Sequence, residues 1–209
     1  MKKTILIAGV KDKMLGKLFF AINLLRGIPA YLAVGLSGAG EILREETKGY
    51  TWFLEDSEKE GFFFCFNSLL WKYACYRNHV IYRCAQHSRV CGHVLRLLYP
   101  PKKDLEIGGN IGEGLVVYHG HGTVIAAHEI GRNFQIYQGV TIGNNRKPGQ
   151  DRHNPIIGDN VTVYANAVVA GNITIGDNVS IGAGAVVMKD IPPNSVVIGN
   201  PCVIKVRIK

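Results

Sequence analysis

Four histidines carry the side chains best suited to chemistry: His119, His121 and His128 close together, and His153 in a polar stretch further on. His119 and His121 sit among glycines, in Tyr118-His119-Gly120-His121-Gly122, rather than in an aliphatic run. Imidazole changes charge near neutral pH, so it can take a proton from a hydroxyl. Asp104 lies 15 residues before His119. In a chain wound in 18-residue coils, that separation brings the two near one edge, one coil apart. A carboxylate there can hold the imidazole in one tautomer and stabilise the imidazolium formed on proton uptake. The pair would form a general base, worth about 10²–10⁴-fold in rate. The same histidines permit a rival reading, because His119 and His121 with His128 or His153 have the ligand types of a zinc site. A third reading is a catalytically silent scaffold.

The coil length comes from a repeat. Ile157, Val163, Val169, Ile175, Ile181 and Val187 recur every six residues, and small residues such as Gly158, Ala170, Gly176 and Gly182 follow. A period of six is neither the 3.6 of a helix nor the alternation of a flat strand. It describes a short strand, a turn and the next strand, with one inward aliphatic on each side of a three-sided prism. Ile142, Ile136 and Ile130 extend the spacing backwards, and Val117 and Ile111 resume it after a one-residue slip. Between Ile142 and Ile157 the repeat is interrupted by a polar, basic loop, 144–155, able to reach a site elsewhere, including one on a neighbouring subunit.

Ahead of the solenoid, residues 1–100 read as a helical domain. Leu15, Leu18, Phe19, Ile22 and Leu25 give a one-sided helix over 12–26, stopped by Gly27-Ile28-Pro29. Ser37 is placed to cap a helix running to about Lys48, and 55–60 reads as an exposed link. Phe62–Leu98 reads as two aromatic-rich helices, ended by Pro100-Pro101. The solenoid then occupies 104–209.

Composition narrows the function classes. No apolar run reaches the length of a membrane span. Lys2-Lys3 and Thr4–Val10 mimic a signal peptide, but Lys11-Asp12-Lys13 cut the run short, so a cytoplasmic chain is expected. Five cysteines without metal spacing fit small core residues in a reducing compartment. The net charge is +8, and Gly61–Lys103 contains seven cations and no acid. That stretch fits a solvated surface with some pairing to acids elsewhere, or peripheral contact with an anionic surface. The cations do not share one helical stripe and no recognition motif is present, which argues against nucleic acid.

At these residues the sequence resembles the hexapeptide-repeat acyltransferases, in their serine acetyltransferase-like branch, over about 104–206. Asp104 and His119 fall on that family's catalytic dyad; Thr141-Ile142-Gly143 opens its loop and Asp151-Arg152-His153 matches the loop motif that meets the acceptor. Ile181–Val187 and Ile198-Gly199-Asn200-Pro201 match its last coil and C-terminal turn. The resemblance implies a left-handed parallel β-helix, a triangular solenoid of hexapeptide repeats, preceded by a small α-helical domain. It implies a homotrimer with sites between subunits and acetyl-CoA as co-substrate, without a metal. Asn144, Ala165 and Ala183 fall where the pantetheine arm is admitted, and Lys189, Lys205 and Arg207 are candidates for its phosphates. His119 would strip an acceptor hydroxyl for direct attack on the thioester, with backbone N–H groups or the loop holding the oxyanion. Where the branch has an aspartate that engages the amino acid, this chain has Tyr118. That departure, with the basic segment ahead of the dyad, is similar to the surface-polysaccharide O-acetyltransferases. The expected acceptor is therefore a sugar, stacked on Tyr118 and Tyr137, with L-serine as the alternative. The zinc reading corresponds to the fold's carbonic-anhydrase-like branch.

Overall fold

A computed structural model of the chain describes residues 22, 24–54, 61–145 and 153–207. The strands form a parallel β-solenoid. All six aliphatics of the period from Ile157 to Val187 point inward and are at most 1% exposed. One face stacks β2 (Val116–Val117), β4 (Gln135–Ile136), β7 (Thr162–Val163), β10 (Ser180–Ile181) and β12 (Ser195–Ile198). A second stacks β1 (Leu105–Ile111), the first half of β3 (Thr123–Ile130), β5 (Thr141–Gly143), β8 (Val168–Ala170) and β11 (Val186–Val187). The third runs from the end of β3 through β6 (Ile156–Ile157) and β9 (Thr174–Ile175) to Ile191. β3 thus bends round a corner, pairing with β5 through Val124-Ile125 and with β6 through Glu129-Ile130.

In the regular coils, partners such as Thr162 and Ser180 are 18 residues apart. In the first coil the spacing grows to 19, as in Val116 with Gln135, and β1 shifts register against β3 between Gly108 and Asn110. That is the slip seen in the repeat. β13 (Val203–Val206) folds back antiparallel on β12 and covers the edge at the last coil.

One corner is repeated in the four coils that follow the first. Asn133, Asn160, Asn178 and Asn194 take left-handed backbone, with φ between 56° and 58°. Asparagine tolerates that region because its short polar side chain can hydrogen-bond locally. Each side-chain amide donates to the next coil's Asn Oδ1, at 2.9, 3.1 and 3.1 Å.

The helical part comprises α1 (24–37), α2 (Gly40–Lys48), a 3₁₀ turn Thr51–Phe53, α3 (Phe62–Lys72), α4 (Ala74–His87) and α5 (Arg89–Leu98). Several expectations change here. Gly27-Ile28-Pro29 does not stop a helix, for α1 runs through it. Proline's fixed φ is compatible with helix, and Gly27 faces Asn67 at a distance that leaves no room for a Cβ. Most of the expected helix 12–26, the apolar start and the 55–60 link lie outside the described residues. Ser37 is not an N-cap: its hydroxyl donates to Val34 O and accepts from Ala39 N, and α2 starts beyond it. Phe62–Leu98 holds three helices rather than two, because the backbone turns extended at Tyr73 and Ser88. Ser88 then caps α5 by accepting from Cys91 N. Cys65, Cys75 and Cys84 are buried in the helical core.

A buried charged network joins helices to solenoid. Glu46 of α2 accepts from His79 Nε2 at 2.6 Å and from Arg83 Nε and Nη2 at 3.0 and 2.7 Å. It also accepts from Gly114 N and Leu115 N, each at 2.9 Å. Arg83 reaches on to the carbonyls of Ile111 and Gly112. Tyr50 Oη bonds His79 Nδ1 at 2.8 Å and accepts from Val117 N at 2.9 Å. With Tyr50 on Nδ1 and Glu46 on Nε2, both ring nitrogens of His79 have partners. Burial pushes the Glu46 carboxyl up, but His79 and Arg83 outweigh it and hold it down at about 2. Sequence alone presented Arg83 as one of seven cations, some of them paired to acids elsewhere; the fold names its partner.

Candidate functional site

The corner that leaves β2, β4, β7 and β10 is where the sequence-derived candidates gather. It carries Tyr118–Gly122 in the first coil, then Tyr137-Gln138-Gly139, Tyr164-Ala165-Asn166 and Gly182-Ala183-Gly184. Backbone bonds run straight up it, from Gly139 N to His121 O, Asn166 N to Gln138 O and Gly184 N to Ala165 O. His119 therefore shares an edge with Ala165 and Ala183. Asn144 and Lys189 lie on the next edge, after β5 and β11. Lys205 lies on β13, and Arg207 just past it donates to Ser180 Oγ at 2.8 Å. Of the loop motif, Asp151 and Arg152 lie outside the described residues. His153 is half-buried, with no hydrogen-bond partner for its buried Nδ1 among the described residues.

His119 takes left-handed backbone, φ 62°, at a place where the coil-to-coil ladder is broken by the slip. The helical part supplies the missing partners. Tyr73, the hinge between α3 and α4, donates its hydroxyl to Val117 O at 3.0 Å and accepts from His119 N. The Cys75 thiol donates to His119 O. Gly120, also left-handed, lies so near Cys75 Sγ that a Cβ would stand 2.9 Å from it. Burial pushes the Cys75 thiol up to about 11 and the Tyr73 phenol further still, so both remain protonated near neutral pH. Cys75 is thus a thiol donor, not a thiolate nucleophile. Tyr73 and Cys75 were missed from sequence, for nothing local marks two residues more than forty positions away as the grip on His119.

The expected Asp104–His119 contact is corrected. Among the described residues Asp104 pairs with Lys102 Nζ, accepts from Gly122 N at 3.3 Å and stands 3.7 Å from His121 Nδ1; His119 is not among its partners. The reason is the register of the first coil, which places Asp104 beneath Gly122 and Thr123, with Thr123 N bonded to Asp104 O. The hydrogen bond from Lys102 and the Gly122 N–H hold the Asp104 carboxyl below its usual range. It stands at the histidine corner as an ionised group, nearer His121 than expected.

The idea of a sugar stacking on Tyr118 and Tyr137 is also corrected. Trp52, Tyr118, Tyr137 and Tyr164 form one continuous stack, with ring centroids 5.3, 4.5 and 5.1 Å apart. Both faces of Tyr118 and of Tyr137 are covered by neighbouring rings, leaving edges and hydroxyls to meet a ligand. The His119 ring stands edge-on to Trp52 at 5.8 Å. Among the described residues no group of three or more His, Cys, Asp or Glu could hold a metal ion, so His119, His121 and His128 do not converge as a ligand set within one chain.

Residues 154–189 match the family model described as bacterial transferase hexapeptide (six repeats). Over 99 residues the chain is 48% identical to the serine acetyltransferase of Staphylococcus xylosus, a match covering 47% of this chain and 45% of that protein. The chain spans less than half the length of the curated relatives it matches. The fold is similar to that of the Neisseria gonorrhoeae serine acetyltransferase, with TM-score 0.62 and 30% identity over 86% of this chain and 70% of that one. The same enzyme in complex with serine gives TM-score 0.59 and 30% identity, over 83% and 72%. A shared solenoid with its helical prelude, at this identity and coverage, places the chain in the serine acetyltransferase-like branch of the hexapeptide-repeat acyltransferases.

Proposed function

We propose that this protein is an acetyl-CoA-dependent O-acetyltransferase that works by direct transfer, with His119 as general base. The observation that carries the reading is the shared edge: an exposed imidazole, fixed through its own backbone, at the foot of a corner that narrows to Ala165 and Ala183. The imidazole takes the acceptor's hydroxyl proton as the oxygen attacks the thioester carbonyl. The tetrahedral oxyanion then collapses, the C–S bond breaks, and the proton passes to the departing thiolate of coenzyme A. Asp104, kept ionised beside Lys102, favours positive charge at the histidine corner. Among the small residues of that corner a pantetheine arm fits, and Asn144 and Lys189 flank it on the next edge. Gln138 Oε1 and His153 Nδ1 are buried without partners among the described residues, which suits a site completed by ligand or by a neighbouring subunit of a trimer.

The family likeness, including a relative solved in complex with serine, supports L-serine as acceptor over the sugar expected from sequence. A sugar remains the second reading on one observation, Tyr118 where the branch has an aspartate: a phenol forfeits most of a charge-assisted bond worth about 1.5–3 kcal/mol. An acetyl-CoA consumption assay with L-serine against a panel of sugars decides between them. Turnover with L-serine is expected. Turnover with sugars alone would reverse the order, and none with any hydroxyl acceptor would overturn the proposal. Metal analysis of protein purified without added zinc tests the zinc alternative.

A further inference from the structure

The seven cations between Gly61 and Lys103 look scattered in the sequence, but the fold sorts them. Arg83 is consumed by Glu46. Arg96 on α5, with Lys102 and Lys103 on the approach to β1, instead line one cleft of about 410 Å³ where α4 and α5 meet β1. Among the described residues Arg96 and Lys103 have no ion-pair partner, whereas Lys102 is paired with Asp104. Glu106 is the one carboxylate in the lining, so the cleft stays positive. Opposite the charges, Ile81, Ala85, Pro101 and Ile107 give an apolar wall.

Like charges gathered on a low-dielectric wall repel one another, and an anion relieves that repulsion. With Lys102 paired to Asp104, Arg96 and Lys103 outnumber Glu106 and leave a net positive charge for an anionic head, and the planar guanidinium of Arg96 matches phosphate oxygens in pairs. The volume lies within the range of small-molecule sites, and the apolar wall suits a ligand with a body as well as a charge. We propose that this cleft binds a small organic phosphate, its head on Arg96 and Lys103 and its apolar or ring-shaped body against Ile81, Ala85 and Ile107. None of the side chains on the His119 edge lines the cleft, so this is a second site. Lys102 lines it while also holding Asp104, which gives an occupant a route to the histidine corner; that consequence, unlike the binding, rests on the acetyl-transfer reading.

The test is calorimetric titration of the full chain, without acetyl-CoA, using phenyl phosphate, inorganic phosphate and phenol as probes. Phenyl phosphate is expected to bind saturably and more tightly than the other two. The Arg96→Ala/Lys103→Ala double variant, its fold checked by circular dichroism, should weaken binding at least tenfold, while His119→Asn leaves it unchanged. The absence of saturable phenyl phosphate binding, or binding indifferent to the double variant, would refute the site. Inorganic phosphate bound as tightly as phenyl phosphate would mean an adventitious ion only, and would refute it as well.

Discussion

The corner that enters β4, β7, β10 and β12 carries an asparagine in each of those coils, whereas the corner that leaves β2, β4, β7 and β10 changes as it rises, from Tyr-His through Tyr-Gln and Tyr-Ala to Gly-Ala. The first satisfies itself: each amide binds the next, and the left-handed turn suits the residue. The second cannot. Its histidine is equally left-handed, yet its backbone is held by Tyr73 and Cys75 of another element, and its tyrosines stack on Trp52. Repetition in the one builds the fold. Departure from repetition in the other gives up local self-sufficiency for a place where polar groups await a partner.

Substitutions at the two corners should therefore fail in different ways. His119→Asn keeps a residue tolerant of left-handed backbone, so it should spare folding while lowering turnover about 10²–10⁴-fold. Near wild-type turnover would strip His119 of the base role. Glu46→Gln, in the seam under the first coil where the chain enters β2, leaves Arg83 uncompensated and should cost about 3–5 kcal/mol in denaturant unfolding. An unfolding midpoint unchanged from wild type would mean that the seam does not bear load. Because the folded Glu46 carboxyl is depressed from 4.5 to about 2, its contribution is complete above pH 4.5. It is lost as the pH falls from there towards 2, a loss of about 3 kcal/mol. The variant should lack that part of the acid sensitivity.

Tyr73→Phe removes one grip on His119 and should lower kcat about ten- to hundredfold through misplacement, with the KM for acetyl-CoA little changed. A matching rise in KM would point instead to general loosening of the edge. The smallest effect belongs to the repeated corner. Asn160→Ala, with two ladder bonds lost and an unfavourable φ, should cost about 1–2 kcal/mol of stability and no turnover. Asn160→Gly, which accepts the φ, should cost less; equal losses would show that the ladder rather than the backbone sets the cost.

The six-residue period was readable because each inward position meets the same environment in successive coils, so one rule holds from Ile111 to Val187, slip included. The helices were read less well. Their packing rests on single contacts such as Gly27 against Asn67, and on an extended residue at Tyr73 that no local pattern marks. At the site, counting coils drew Asp104 and His119 near one edge, but a separation of 15 in 18-residue coils does not make a contact. The regular 18-residue register at the start of β1 sets Asp104 beneath Gly122, three residues on from His119, and beside His121.

By itself the sequence determined what depends on period and residue type: an aliphatic-cored solenoid and its turns. Tertiary structure decided what depends on long-range contact: Arg83 buried on Glu46, His119 held by Tyr73 and Cys75, the tyrosine faces closed by stacking, and three scattered cations on one cleft. The division has a physical cause. Periodic burial repeats at short range and leaves a trace in the order of residues, whereas a hydrogen bond between residues forty apart leaves none until the chain has folded.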